Sequence, residues 1–138
     1  MPKVLVVEDS SVQRAYYEQI FSRLAGYLAS FTKNGRQALD HIEQHGPPDV
    51  VVLDINMPVM DGLEFLAQFR GDQKTPPAHV IIVTTEGHED DYRRGIEAGA
   101  SAYLKKPFTP EMLTQLVREL VAQQVPAQGE STGGSIRE

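Results

Sequence analysis

The sequence predicts an α/β domain of three layers, with a five-stranded parallel sheet between two layers of helices. Three observations lead there. Short, unbroken apolar runs recur at 4–7, 50–53, 80–83 and 102–104, and apolarity without alternation suits strands buried on both faces. Helical patterns separate these runs, so that a β-α order repeats five times. Such repeats build parallel sheets with right-handed crossovers. The chain has 138 residues, enough for one well-buried core but too few for an eight-unit barrel.

Each element has its own signal. Val4-Leu5-Val6-Val7 is the first strand. Ser10 with Gln13 three residues on is a capping-box pattern, and Val12, Tyr16, Ile20 and Leu24 then recur every four residues as a helical stripe. Leu28–Thr32 alternates and reads as an edge strand. Asn34 opens a second helix carrying Ala38, Leu39 and Ile42, and Val50–Leu53 is the third strand. Asp61, with Glu64 at the third helical position, opens a third helix along Leu63, Leu66 and Phe69. After the fourth strand, Val80–Val83, a poorer helix around Tyr92, Ile96 and Ala98 begins in charge and ends at Gly99. Ala102-Tyr103-Leu104 is the fifth strand. The last helix has the clearest start, with Thr109 as N-cap and Pro110 at the first position, before Leu113, Leu116, Val117, Leu120 and Val121. Beyond it the composition turns to Gln, Pro, Gly, Ser and Thr. Residues 1–123 are therefore expected to form the domain, and 124–138 a flexible tail or the start of a linker.

Composition excludes several classes. Thirteen Lys and Arg against 19 Asp and Glu give a net charge of −6, which denies the chain the basic face of a free-standing nucleic-acid binder. At 41% hydrophobic and 23% charged it is globular rather than disordered. No apolar run approaches the ~18–20 residues of a membrane span, and the short run before Glu8-Asp9 is no signal peptide. The absence of cysteine removes disulfides, thiolate zinc sites and thiol catalysis, and fits a cytoplasmic protein.

In an open α/β sheet, ligands bind beyond the carboxyl ends of the strands. The first strand is followed by Glu8 and Asp9, the third ends in Asp54, the fourth in Thr84-Thr85, and the fifth in Lys105-Lys106-Pro107. Three carboxylates on one rim repel each other, and a hard divalent cation relieves this; Mg²⁺ suits carboxylates combined with water and phosphate oxygens. A metal ion, a Lys and a hydroxyl around one carboxylate equip a site for phosphoryl transfer, with the Asp as nucleophile and an aspartyl phosphate as product.

These residues resemble the receiver domain of two-component response regulators, the CheY-like family. The resemblance covers roughly residues 3–122 and rests on Glu8-Asp9-Ser10, on Leu53-Asp54-Ile55-Asn56-Met57-Pro58 through Asp61-Gly62, on Val83-Thr84, and on Gly99 through Lys105-Lys106-Pro107-Phe108. It implies a flavodoxin-like sheet of strand order 2-1-3-4-5 with five helices. It also implies that Asp54 is the phosphoacceptor and that Glu8, Asp9, Asp54 and the backbone carbonyl of Asn56 bind Mg²⁺. Thr84 and Lys106 would then hold the phosphoryl group, over a cis Lys106-Pro107 bond, and Tyr103 would be the switching aromatic. Asn56, Thr85 and Glu86 occupy positions that tune the phosphate's lifetime. The donor would be a sensor histidine kinase or phosphotransfer protein. The output would be altered binding of an unidentified protein target around the fourth helix, fifth strand and fifth helix, with room for a phosphorylation-dependent dimer. The domain would catalyse only its own phosphorylation and slow dephosphorylation.

Plainer roles compete. Asp54 alone could cap a turn, Glu8 and Asp9 could serve a helix dipole, and Tyr103 could be core packing. His41 and His45 read as a solvated helical face. Two other functions fit parts of the rim. An Asp-nucleophile phosphatase of the haloacid-dehalogenase type wants an acid two residues after the nucleophile, where this chain has Asn56. A docking domain indifferent to phosphorylation would not need Asp9, Asp54, Thr84 and Lys106 together.

Overall fold

The computed structural model describes residues 1–54, 62–71, 78–84, 93, 97, 99–123 and 135–137, with the backbone alone for 54, 62, 63, 71 and 135–137. In chain order the elements are β1 (Lys3–Val7), α1 (Ser11–Ser22), β2 (Leu28–Thr32), α2 (Gly35–His45), β3 (Val50–Asp54), α3 (Gly62–Gly71), β4 (His79–Thr84), β5 (Ala102–Lys105), α4 (Pro110–Val121) and β6 (Ser135–Arg137). Arg93 and Glu97 are helical; the rest of the helix expected around Tyr92, Ile96 and Ala98 lies outside the described residues, so the last expected helix is α4 here.

All strands pair in parallel, in the order β2-β1-β3-β4-β5-β6. The five expected strands stand as 2-1-3-4-5, with β2 at the edge. A sixth, three-residue strand, Ser135–Arg137, extends this sheet along the outer side of β5. A terminal β5 would expose a row of unpaired backbone groups. A three-residue strand carries too little pattern to be read from sequence.

Side chains of successive strand residues point to opposite faces, and the core divides accordingly. Val4, Val6, Val50, Val52, Ile81, Val83, Ala102 and Leu104 pack against Tyr17, Ile20, Phe21 and Leu24 from α1 and its end, and against Leu113, Leu116, Val117 and Leu120 of α4. Leu5, Val7, Val51, Leu53, Val80, Ile82 and Tyr103 face Ala38 and Ile42 of α2 and Phe65, Leu66 and Phe69 of α3. Each such Leu, Ile or Val contributes roughly 1.5–3 kcal/mol by leaving water.

Caps start the helices where expected. Ser10 accepts from the Gln13 amide and Asn34 from the Gln37 amide, while Thr109 accepts from the Met112 amide ahead of Pro110. The α1 stripe is rotated from the expected one. Tyr17, Ile20, Phe21 and Leu24 are buried, whereas Val12 is 76% and Tyr16 37% exposed. Positions i, i+3, i+4 and i+7 line one face of a helix, and a strict four-residue spacing drifts off it. At the far side of the sheet, Gly99 adopts φ +103°. An added Cβ there would lie 3.3 Å from the Arg70 side chain, whose Nε donates to the Gly99 carbonyl at 3.1 Å.

Candidate functional site

Four strand ends meet along one rim. β1 runs directly into Glu8 and Asp9, β3 ends in Asp54, β4 ends in Thr84, and β5 ends in Lys105, followed by Lys106. The register keeps them level: Val7 pairs with Leu53, Asp54 with Val83, and Thr84 with Lys105. Because β1, β3 and β4 are neighbours, Asp54 stands one strand, about 4.8 Å, from the acidic pair on one side and from Thr84 on the other. Lys106 lies one strand further on.

Each of these positions is held by its surroundings. Glu8 is only 1% exposed. Its amide donates to the Thr32 carbonyl at 3.0 Å, and its Oε1 accepts from the Ser10 amide at 3.2 Å. Asp9 is exposed. The loop carrying both is tied down by Arg14, whose Nη1 donates to the carbonyls of Glu8 at 2.8 Å and Asp9 at 2.9 Å. Sequence reasoning missed Arg14; the available signal was a cation one turn into the helix that follows two acids.

Thr84 is buried, and among the described residues its Oγ1 has no hydrogen-bond partner. A buried hydroxyl left without a partner is costly and uncommon. Lys106 is half-buried. Its amide donates to the Thr84 carbonyl at 2.7 Å, and the Lys106-Pro107 bond is cis, as the resemblance implies. Tyr103 is buried among the apolar side chains on the α2 and α3 side of the sheet.

The side chain of Asp54, and all of Asn56, Thr85 and Glu86, lie outside the described residues, as do Met57, Met60 and Glu89-Asp90-Asp91. Among the described residues no three His, Cys, Asp or Glu side chains form a metal-binding group. The Glu8 and Asp9 carboxylates are oxygen donors of the type a hard divalent cation takes, and they begin the set into which Asp54 and Asn56 would enter. The His41 and His45 rings lie tilted to one another, with centroids 4.6 Å apart. His41 is held below the usual imidazole range by burial first, then by the charges of His45 and Lys3.

A small apolar patch flanks the rim. The Tyr16 ring lies 6.3 Å from that of Phe108, which also stacks on Tyr17, and exposed Val12 is one turn before Tyr16. Phe108 directly follows Lys106-Pro107, so the patch adjoins the ammonium side of the site.

The sequence profile of the response regulator receiver domain matches residues 4–118. The chain belongs to that family. It is 33% identical over 119 residues to a chemotaxis protein CheY homolog of Campylobacter jejuni, covering 86% of this chain and 92% of that protein. It is 38% identical over 120 residues to the transcriptional regulatory protein PrrA of Mycobacterium leprae, of which it spans 50%. Among solved structures, a putative response regulator from Chloroflexus aurantiacus superposes with a TM-score of 0.81 at 30% identity, over 89% of this chain and 100% of that one. This receiver domain is therefore a phosphoacceptor signalling switch of two-component systems. Receiver domains act as switches rather than as enzymes, use Mg²⁺ at the phosphorylation site and interact with histidine kinases or phosphotransfer partners. Among the described residues no helix is long and apolar enough to cross a membrane.

Proposed function

We propose that Asp54 is the phosphoacceptor of this receiver domain and that the domain catalyses its own phosphorylation and slow dephosphorylation. The observation that carries this reading is the lateral order of the rim, with Asp54 between the acidic pair and Thr84, and Lys106 beyond. The carboxylate of Asp54 attacks phosphorus in line as the bond to the donor's imidazole nitrogen, or to an acyl oxygen, breaks. The Thr84 hydroxyl donates to one phosphoryl oxygen, and the Lys106 ammonium balances the charge on another. Glu8, Asp9, Asp54 and the Asn56 carbonyl would hold Mg²⁺, which supplies charge neutralisation when bound.

The partner is a sensor histidine kinase or phosphotransfer protein, and the exposed Val12 and Tyr16 beside Phe108 suit an apolar contact from it, close enough to the rim to present a phosphohistidine. Once Thr84 is drawn to the phosphoryl group, Tyr103 on the neighbouring strand responds. The surface of β5, α4 and the segment around Tyr92 and Ile96 then changes its affinity for a downstream protein or for a second copy. Residues 1–123 form this switch, and Asn56, Thr85 and Glu86 set the lifetime of its phosphate.

Incubation with acetyl phosphate tests the assignment. One phosphoryl mass added with Mg²⁺, lost with EDTA and lost in Asp54→Asn, supports it; labelling that persists in Asp54→Asn moves the acceptor elsewhere. Many turnovers on a generic phosphomonoester would instead favour a phosphatase.

A further inference from the structure

β6 bears on how that output surface is used. Its register with β5 is Ala102 with Ser135, Tyr103 with Ile136 and Leu104 with Arg137, so it covers most of the outer edge of the strand that carries Tyr103. With α4 between them, β5 and β6 form one more parallel βαβ unit. The near end of the connection is anchored, because His79 Nε2 bonds the Gln123 carbonyl at 3.2 Å. From there to Ser135 the sequence includes Pro126, Gly129, Gly133 and Gly134, residue types common in linkers. A three-residue strand on the edge of a sheet is held by few backbone hydrogen bonds and opens at far lower cost than a central strand, yet its tether keeps its effective concentration high.

We propose that Ser135–Arg137 is an intramolecular plug on the β5 edge. Once β6 has left it, the edge takes the same segment from a second copy of this chain by strand pairing. Edges left open invite such pairing, and of the four β5 residues only Lys105 carries a charge to discourage it. This rests on the reading of β5 as part of the output surface, and it adds a competitor that acts whether or not the rim is phosphorylated.

The test uses the full chain. Backbone N–H groups alternate in direction along a strand, so one of Ile136→Pro and Arg137→Pro removes a donor to β5. Amide exchange is followed at 102–105, with 4–7 as the internal control. At least one substitution should speed exchange at 102–105 tenfold or more while leaving 4–7 unchanged. A labelled peptide of residues 131–138 should then bind that variant at least tenfold more tightly than the unaltered protein. Unchanged exchange in both variants, or equal peptide binding to plugged and unplugged chains, overturns the proposal. Asp54→Asn should leave all these results as they are. Failure of acyl phosphate labelling alongside an intact plug response would count against the phosphoacceptor assignment alone.

Discussion

Replacing Thr84 by Val should move stability and phosphoryl binding in opposite directions. Thr84 is 1% exposed, and its Oγ1 lacks a hydrogen-bond partner among the described residues. Val is also β-branched and has nearly the same shape, so the backbone and packing of β4 should be kept. A hydroxyl buried without a partner costs roughly 1–3 kcal/mol in proteins, and the new methyl gains the transfer energy of about one CH₂ group. The unphosphorylated Thr84→Val domain should therefore be more stable by about 2–4 kcal/mol, a rise in Tm of roughly 7–14 °C for a chain of this length. The same change removes a hydrogen bond to a charged phosphoryl oxygen, worth about 1.5–3 kcal/mol. Affinity for beryllofluoride with Mg²⁺, a stable stand-in for the phosphoryl group, should then fall roughly 10- to 100-fold. Urea unfolding measures the first effect and titration of the mimic the second. A variant destabilised by 1 kcal/mol or more would mean that the hydroxyl is already satisfied in the resting domain. Unchanged binding of the mimic would mean that it never reaches the phosphoryl group.

Other perturbations probe the supports of the site. Arg14→Ala removes a charged donor from the Glu8 and Asp9 carbonyls and should weaken Mg²⁺ binding about tenfold while costing about 1 kcal/mol or less of stability at its partly exposed site; calorimetric titration checks this, and Arg14→Lys should recover part of the loss. His79 gives the fold a pH dependence. Burial and the charge of Arg70 lower its pKa, against the raising effect of its bond to the Gln123 carbonyl. A His whose folded pKa is depressed contributes stability that is complete above the ordinary value of 6.5 and is lost as pH falls through the folded value. Unfolding followed from pH 7.5 down to 5 should show this loss, and His79→Gln should reduce its slope without abolishing it, because His41 titrates with the same sign. Ile20→Ala, on the buried face of α1, should cost about 2–5 kcal/mol in urea unfolding, whereas Val12→Ala on the exposed face should cost less than about 0.5 kcal/mol.

The fold was legible where burial imposes a pattern on the chain. A strand enclosed on both faces must be apolar throughout, which is why Val50–Leu53 and Val80–Val83 stood out, and the caps at Ser10, Asn34 and Thr109 followed from backbone donors that need partners. The facing of α1 was misread because Val12 and Tyr16 are apolar without being buried; periodicity records hydrophobicity, and hydrophobicity on a surface has other uses. The rim was legible because Glu8, Asp9, Asp54, Thr84 and Lys106 interrupt apolar strands at their ends. Arg14 was not singled out, since its partners are backbone carbonyls, which every residue has, and its place one turn into the helix after two acids was the one signal. Nor was the lack of a partner for the Thr84 hydroxyl among the described residues, which depends on what surrounds the end of β4. The strand at Ser135–Arg137 escaped notice because its pairing is made by the backbone, which leaves no trace in side-chain composition.

The central claim is most directly tested by trapping the acyl phosphate. The protein is incubated with acetyl phosphate, with and without Mg²⁺, then reduced with borohydride and digested. A phosphorylated aspartate is converted to homoserine, which peptide mass spectrometry locates. The account predicts homoserine at position 54 alone, and only in the sample containing Mg²⁺. Homoserine at Asp9 or at any other aspartate, or an unmodified Asp54 in the presence of the metal, would contradict it.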